Sequence, residues 1–204
     1  MGIGQRMWGG TDKVVHMRDG EAALFGYGSL ICLESLEHTL GHAYRGPLVV
    51  CALEGWRRAW DVAMPNETYF TETPSRRMVP DNILYLNISP ERGSLLNGVL
   101  FVVNQPELEA FDRREWIYTR EEVTSQVRGA SIPSGEAYVY VGKPEYVMSR
   151  VGTPKRAAIR ASYLKILEAG FARLGATFRT AYEASSDPVP SHLIIDDRRN
   201  EPKG

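Results

Sequence analysis

Residues 24–30 read Leu-Phe-Gly-Tyr-Gly-Ser-Leu, and this stretch decides the fold that we predict. An apolar run ends in two glycines that flank an aromatic residue, and a hydroxyl residue and a short helical segment follow. Glycine lets the backbone approach a ligand closely, and free N–H groups at a strand-to-helix turn can hold an anion or an oxyanion. A tight structural turn would give the same pattern, so both interpretations stay open on this stretch alone.

The turn does not match three better-known loops. It lacks the three-glycine spacing of dinucleotide-binding proteins, and no Gly-Lys-Ser/Thr follows as in a phosphate loop. Ser29 is not the centre of Gly-x-Ser-x-Gly, the pattern of a nucleophile elbow. A hydrolase that uses Ser29 would need a nearby histidine, and none of the four histidines has a motif context that supports this role.

Outward from the turn, short apolar and alternating runs predict strands throughout the middle of the chain. The run after Gly55 is expected to form a hairpin with the run before it. The predicted strand regions are 22–25, 48–53, 56–63, 82–88, 98–103, 117–127 and 137–141.

Helices are fewer, and their ends carry recognisable signals. Asn104 followed by Glu107 gives a capping-box pattern at the start of one helix. Gly41 and Gly175 are expected to end two others. We therefore predict an α+β domain, built as a small mixed, mainly antiparallel β-barrel with flanking helices. The predicted helices span residues 33–40, 104–115 and 156–174.

The 204 residues, 43% of them hydrophobic, are enough for one well-filled core. Residues 1–20 are rich in glycine and charge, and we interpret them as a flexible lead. Residues 21–184 form the predicted domain, and residues 185–204 are interpreted as a tail with an apolar patch at 193–195.

The formal net charge of −1 provides no field that would attract nucleic acid or an anionic membrane. The expected partner is a small molecule or a second copy, so we predict a monomer or a homodimer. No stretch has the length of a membrane span, and no secretory signal is found. With only Cys32 and Cys51, a disulfide is not implied, and a cytoplasmic location is the default expectation.

No metal or cofactor is expected. His38 and His42 are spaced like metal ligands on a helix, but Gly41 ends that helix first and no third ligand is evident. In the aromatic-basic stretch 56–60, the alternating pattern favours a strand. A pair of arginines in a near-neutral protein favours that strand, or binding of a substrate carboxylate, over contact with nucleic acid.

Glu115 is the carboxylate with the most distinctive setting. It lies at the end of a predicted helix, next to Trp116. The negative end of the helix and apolar neighbours would raise its pKa, whereas Arg113 and Arg114 would lower it if they point toward it. The alternative is a solvated glutamate at a frayed helix end.

Two segments together resemble the γ-glutamylcyclotransferase-like proteins. The sequence Phe-Gly-Tyr-Gly-Ser-Leu at 25–30 resembles the Tyr-Gly-Ser motif of that family. The run 98–103, followed by a helix that ends in Phe-Asp-Arg-Arg-Glu at 111–115, is similar to the family's Gly-Val-…-Leu-Asp-x-x-Glu segment. The order and separation fit, and the resemblance covers about residues 22–175.

The resemblance implies a small barrel with a cavity over the glycine turn, and an enzyme that cuts a γ-glutamyl amide into 5-oxoproline and a free amine. It implies that Glu115 is the general acid/base. It also implies that Tyr118 and Tyr163 line the pocket. The residues implied to cradle the γ-glutamyl group are Tyr27, Gly28, Ser29 and Leu30.

Three positions depart from the family pattern. Leu30 stands where some members carry Asn, Phe111 replaces a Leu, and Trp116 replaces a Gly. These departures leave the reaction class standing and the leaving amine open, with glutathione, γ-glutamyl amino acids, γ-glutamyl-lysine and γ-glutamyl-protected intermediates as alternatives. The alternative function is a non-catalytic member of the fold that binds a γ-glutamyl or other acidic metabolite.

The chemistry fits these residue types because the substrate carries its own nucleophile. Its α-amine reaches its own γ-carbonyl, and well-oriented intramolecular reactions have effective molarities of roughly 10⁵ M or more. One carboxylate can take the proton from the amine and return it to the leaving nitrogen. A side-chain nucleophile, a metal and a cofactor are therefore not required.

Overall fold

Two long antiparallel strands form the frame of the molecule. The computed structural model describes residues 13–148, 152 and 156–200. Strand β3 (Leu48–Pro65) pairs with strand β6 (Asn82–Asn104) from Leu48 opposite Phe101 to Pro65 opposite Asn82. Residues 1–12 of the predicted lead and residues 201–204 of the predicted tail lie outside the described residues.

The remaining elements are arranged around this pair. The other strands are β1 (Lys13–Val14), β2 (Glu21–Gly26), β4 (Tyr69–Thr73), β5 (Arg76–Met78), β7 (Tyr118–Glu122), β8 (Val127–Arg128), β9 (Ala130–Ser131), β10 (Ala137–Gly142), β11 (Ala157–Arg160), β12 (Ile194–Ile195) and β13 (Arg198–Arg199). The helices are α1 (Leu33–Leu40), α2 (Gln105–Arg114), α3 (Ala161–Leu174) and α4 (Ala176–Ala184).

The main sheet is mixed and curls into a half-barrel. Its strand order is β12-β11-β6-β2-β10-β7, with β3 on the rest of β6 and β8 on β3. Strand β10 runs parallel to β2 and β11 runs parallel to β6, whereas β2 and β3 run antiparallel to β6. The α+β class and the mainly antiparallel curled sheet predicted from the sequence are confirmed.

The predicted hairpin after Gly55 is wrong. Residues 48–65 form one continuous strand, and Gly55 lies at a register shift between Glu54 and Trp56 with φ of 85°. Between the pairs Glu54–Leu95 and Trp56–Pro90, β3 advances two residues and β6 advances five, so the extra residues of this irregularity lie in β6 opposite Gly55. Such a bulge bends a strand pair without reversing the chain. Likewise, the predicted strands 82–88 and 98–103 are two parts of the single strand β6.

Helix α1 and its stop at Gly41 are confirmed, as is the capping box of Asn104 and Glu107 at the start of α2. The third predicted helix is partly wrong, because residues 157–160 form β11 beside β6 and α3 begins at Ala161. Pairing with the main sheet overrides helix propensity there. After Gly175, the chain forms a further helix, α4, that the sequence analysis missed.

Alternating side chains of the central strands divide the core between the two faces of the sheet. Leu24 of β2 and its partner Phe101 pack with α1 and α2 on one face. Phe25 and its partner Leu100 face the other side, where Tyr163 and other residues of α3 and α4 complete the larger cluster. No helix in the described ranges has both the length and the apolar character to cross a membrane.

The described part of the predicted tail, residues 185–200, has partners in the rest of the molecule. Strand β12 runs parallel to β11, with Ile194 beside Ile159, and β13 pairs with β4. The carboxylate of Asp197 accepts hydrogen bonds from the backbone N–H and the hydroxyl of Ser162 at the start of α3, at 2.8 and 2.6 Å.

Among the described residues, the most deeply buried charge is Arg58 of β3, which is 0% exposed. Its guanidinium donates to the carbonyls of Tyr27 at 3.0 Å, Asn97 at 2.6 Å and Tyr182 at 3.2 Å. It also donates to the hydroxyl of Ser186 at 2.6 Å, and it lies 3.5 Å above the centre of the Tyr182 ring. Arg58 therefore fastens the glycine turn, β6 and the end of α4 to β3.

We predict that Arg58→Met lowers the free energy of unfolding by about 3 kcal/mol or more, because several buried carbonyls lose a charged donor. Urea denaturation measures this loss. The matched control is Arg57→Met, whose half-exposed side chain pairs with Asp187 and should cost about 1 kcal/mol or less. Equal losses for the two variants would contradict the structural role of Arg58.

Candidate active site

The glycine turn follows β2 directly and opens a single 3₁₀ turn at Ser29–Ile31. Gly28 occupies the capping position before this turn, and it has no side chain that could bond to the first N–H groups. The first N–H groups of a helical turn have no acceptor within the turn, so those of Ser29 and Leu30 are available to a ligand. The Tyr27 carbonyl accepts from Arg58 and, at 2.8 Å, from the Tyr182 hydroxyl, which fixes the start of the turn.

All seven residues that the sequence analysis placed in the site line one cavity of about 30 Å³. They come from the turn after β2, the end of α2, the start of β7 and helix α3. Phe25, Leu86 and Tyr140 also line it, and no motif in the sequence assigned them to the site. The predicted residues in the wall are Tyr27, Gly28, Ser29, Leu30, Glu115, Tyr118 and Tyr163.

Gly28 permits a close approach between the turn and helix α3. A Cβ atom on Gly28 would lie 2.9 Å from the hydroxyl oxygen of Tyr163. The Tyr163 ring has little freedom to move, since it packs edge-on against Trp60 and Tyr85 with centroids 5.9 and 5.2 Å away. Any side chain at position 28 would therefore push against a fixed wall of the cavity.

The tyrosine hydroxyls of the cavity differ in their partners. Tyr27 donates to the carbonyl of Tyr140, and Tyr118 donates to the carbonyl of Leu86, both at 2.8 Å. The Tyr163 hydroxyl has no hydrogen-bond partner among the described residues, so it is free for a ligand. Burial raises the pKa of Tyr27, Tyr118 and Tyr163 well above 10, so all three are neutral at physiological pH.

Glu115 lies at the C-terminal end of α2, and its side chain is 16% exposed. Its backbone N–H donates to the Phe111 carbonyl at 2.8 Å, and its own carbonyl accepts from Tyr118 at 2.8 Å. Burial raises the pKa of the Glu115 carboxyl, and the neighbouring Arg114 offsets part of this rise. The carboxyl is thus held in the cavity wall with a raised proton affinity.

Arg114 links the glycine turn to Glu115. Its Nε lies 3.0 Å from the Glu115 carboxylate, and its Nη2 donates to the Ser29 hydroxyl at 2.8 Å. The same guanidinium donates to the Ser35 carbonyl at 2.8 Å and to the Thr39 hydroxyl, both in α1. The sequence showed two adjacent arginines before Glu115, and only the packing of α2 on α1 selects Arg114.

The surroundings of Ser29 do not suit a serine nucleophile. Its hydroxyl oxygen accepts from a guanidinium, which lowers its electron density, and no histidine of the described chain lines the cavity. Within the same residues, no group of three or more His, Cys, Asp or Glu side chains could hold a metal ion.

A wider groove of about 300 Å³ adjoins the cavity. The two spaces share four residues of their walls: Ser29, Glu115, Tyr118 and Tyr163. Beyond Glu115 the groove has mainly aromatic and apolar walls, with one further cation, Arg160. Its volume suits a ligand the size of a dipeptide.

Solved structures share this architecture. An uncharacterized human protein superposes with a TM-score of 0.54 at 17% identity, over 84% of this chain and 91% of its own. A γ-glutamyl cyclotransferase superposes with a TM-score of 0.53 at 15% identity, over 83% and 90%. The chain has the γ-glutamylcyclotransferase-like fold. YkqA from Bacillus subtilis gives a TM-score of 0.52 at 16% identity, over 81% of this chain and 54% of its own.

No family model and no curated protein matches the sequence. The γ-glutamylcyclotransferase-like fold, which the two short motifs implied, is thus established by the three-dimensional arrangement. The roles of the individual cavity residues stay predictions, because identities of 15–17% establish the fold alone.

We predict that Arg114→Gln raises the pKa of Glu115 further, since the variant loses the one cation that offsets the effect of burial. Titration of the Glu115 carboxyl carbon by NMR measures this shift. Arg113→Gln is the matched control, because Arg113 is exposed and is not among the groups that shift Glu115. An unchanged or lower pKa of Glu115 in Arg114→Gln would contradict this account of the site.

Proposed function

We propose that the protein is an enzyme that cleaves γ-glutamyl amides by intramolecular ring closure, releasing 5-oxoproline and a free amine. The observation that carries the proposal is the juxtaposition of a buried carboxylate, Glu115, with the free N–H groups of the Gly28-Ser29-Leu30 turn. Ring closure needs these two components, a proton carrier and a holder for developing negative charge.

In the proposed reaction, the α-nitrogen of the γ-glutamyl unit attacks the γ-carbonyl carbon. A carbon–nitrogen bond forms, the bond to the leaving nitrogen breaks, and a five-membered lactam results. The α-ammonium gives up two protons in total, and the leaving amine gains two to depart as an ammonium. Glu115 takes each proton and passes it on, so that the carboxylate is regenerated at the end of the cycle.

The raised pKa of Glu115 suits this double role. An α-ammonium has a pKa of about 8, so a base must remove a proton before attack at neutral pH. A carboxylate with an ordinary pKa is a weak base for this purpose, and burial increases its proton affinity. Because the pKa is raised, we expect kcat/KM to fall as the pH drops through the pKa of Glu115.

The turn and the tyrosines would position the substrate. The N–H groups of Ser29 and Leu30 would hold either the substrate carboxylate or the oxyanion of the tetrahedral intermediate. The free hydroxyl of Tyr163 would donate a further hydrogen bond. Arg58 and Arg114 fix the turn and Glu115 before substrate arrives, so little reorganisation is needed during the reaction.

We predict that Glu115→Gln loses at least about 10³-fold in turnover, toward the upper part of the range for general acid–base groups. The amide keeps the size and a hydrogen bond but cannot accept a proton and return it. The variant should fold normally, because Arg114 keeps its hydrogen bonds to Ser29, Ser35 and Thr39. Release of 5-oxoproline from a panel of γ-glutamyl compounds measures the effect.

Glu109→Gln is the control for this experiment, because Glu109 is exposed on the same helix and should retain most activity. Near-normal turnover by Glu115→Gln would show that another group carries the proton. Release of glutamate in place of 5-oxoproline by the wild-type protein would replace ring closure with hydrolysis. Binding of γ-glutamyl compounds without any product would favour a non-catalytic binding protein.

We also predict that Gly28→Val reduces turnover more than Ser29→Ala does. The added side chain collides with the Tyr163 hydroxyl and blocks the turn, whereas loss of the Ser29 hydroxyl leaves the backbone donors in place. Steady-state kinetics on one active substrate compares the two variants. If Ser29→Ala abolishes turnover while Gly28→Val is tolerated, then the hydroxyl of Ser29 is the reactive group.

A further inference from the structure

The groove beside the cavity contains a cation that the proposed reaction does not use. Arg160 ends β11, immediately before α3, and its side chain is 14% exposed. Its guanidinium lines the groove together with Glu115 and Tyr163. A buried guanidinium normally has its donors satisfied, so the surroundings of Arg160 indicate what the groove is built to receive.

Arg160 lacks a full complement of partners within the described chain. Its Nε is buried and has no hydrogen-bond partner among the described residues. The nearest carboxylate, that of Asp197, is 3.9 Å from Nη1, at the limit of an ion pair. Both oxygens of Asp197 already accept hydrogen bonds from Ser162. Nη1 also donates a long hydrogen bond, 3.4 Å, to the Ser162 hydroxyl. The guanidinium therefore keeps capacity for a second anion on its remaining N–H groups.

Aromatic rings hold the Arg160 guanidinium in place. Its central carbon lies 4.0 Å from the centre of the Tyr69 ring and 5.6 Å from that of Tyr85. Stacking of this kind fixes the plane of a guanidinium while leaving its N–H edge free for a planar anion such as a carboxylate. Since Tyr85 also packs against Tyr163, the aromatic wall is continuous from Arg160 to the cavity.

The charged side chains of the groove favour binding of an anion beside Arg160. Three charged side chains line it, and two of them, Arg114 and Glu115, pair with each other at 3.0 Å. Arg160 has the long 3.9 Å pair with Asp197 as its one carboxylate contact among the described residues, and Asp197 does not line the groove. The walls of the groove are therefore mainly apolar and aromatic, and Arg160 is the cation among them whose charge is not closely paired.

We infer that Arg160 binds a carboxylate on the leaving part of the substrate, so that the preferred substrates are γ-glutamyl amino acids or peptides and not γ-glutamyl amines without an acid group. This inference rests on the proposed function, which places the γ-glutamyl unit at the glycine turn and the leaving amine beside Glu115. From there the groove leads the leaving group past Tyr163 and Tyr85 to Arg160.

A matched set of compounds tests the inference. γ-Glutamyl-alanine and γ-glutamyl-ethylamide differ only by the carboxylate on the leaving group. γ-Glutamyl-alanyl-glycine moves that carboxylate one residue outward, and so reports which position the guanidinium reaches. We expect kcat/KM for at least one of the acidic compounds to exceed that for the ethylamide by about 10–100-fold, the range for a hydrogen bond to a charged group.

Arg160→Gln should abolish this preference by reducing kcat/KM for the acidic compounds while leaving that for the ethylamide nearly unchanged. Arg160→Lys should restore part of it, because the charge remains and the planar fork is lost. Arg156→Gln is the matched control, since Arg156 is exposed, pairs with Asp81 and does not line the groove. Thermal unfolding confirms that each variant is folded.

A parallel binding measurement separates this inference from the proposed reaction. Calorimetry with Glu115→Gln compares the affinities of the same compounds, with and without Arg160→Gln, and requires no turnover. A carboxylate preference that disappears with Arg160 supports the inference even if no compound yields 5-oxoproline, an outcome that would refute only the reaction. Equal affinity for γ-glutamyl-alanine and the ethylamide, or an equal loss for all compounds in Arg160→Gln, would overturn the inference.

Discussion

The burial of one guanidinium, that of Arg58, is the constraint on which the rest of the structure depends. A buried cation is costly unless every donor finds an acceptor, and the acceptors of Arg58 come from three separate parts of the chain. Its hydrogen bonds to Tyr27, Asn97 and Tyr182 together offset the cost of burying the charge. This requirement fixes the glycine turn relative to both long strands and to α4.

Two arginines, Arg58 and Arg114, hold the candidate site in a fixed arrangement. Arg58 holds the backbone at the start of the turn, and Arg114 holds the Ser29 hydroxyl together with the Glu115 carboxylate. The two sides of the cavity are thus set by charged donors that do not themselves line its inner end. Such preorganisation lowers the cost of orienting a substrate, provided that the site remains closed to bulk water.

The three departures from the family pattern lie in three different parts of the molecule: the inner cavity, the core and the groove. Phe111 packs against Phe101 in the core, with ring centres 5.4 Å apart, and does not line the cavity. Trp116 is 48% exposed and forms part of the groove. Leu30 lines the inner cavity, where the turn and the Glu115 carboxylate are both present.

The sequence by itself determined the features that depend on near neighbours: the glycine turn after β2, the capping box of α2, and Glu115 at that helix's end. These follow from backbone conformation and local hydrogen bonds, which a short stretch encodes. Tertiary structure alone decided the continuity of β3 through Gly55, the choice of Arg114 over Arg113, and the positions of Arg58 and Arg160. Each depends on strand register or on contacts between residues far apart in the chain, where the local pattern is the same for a buried anchor and a solvated arginine.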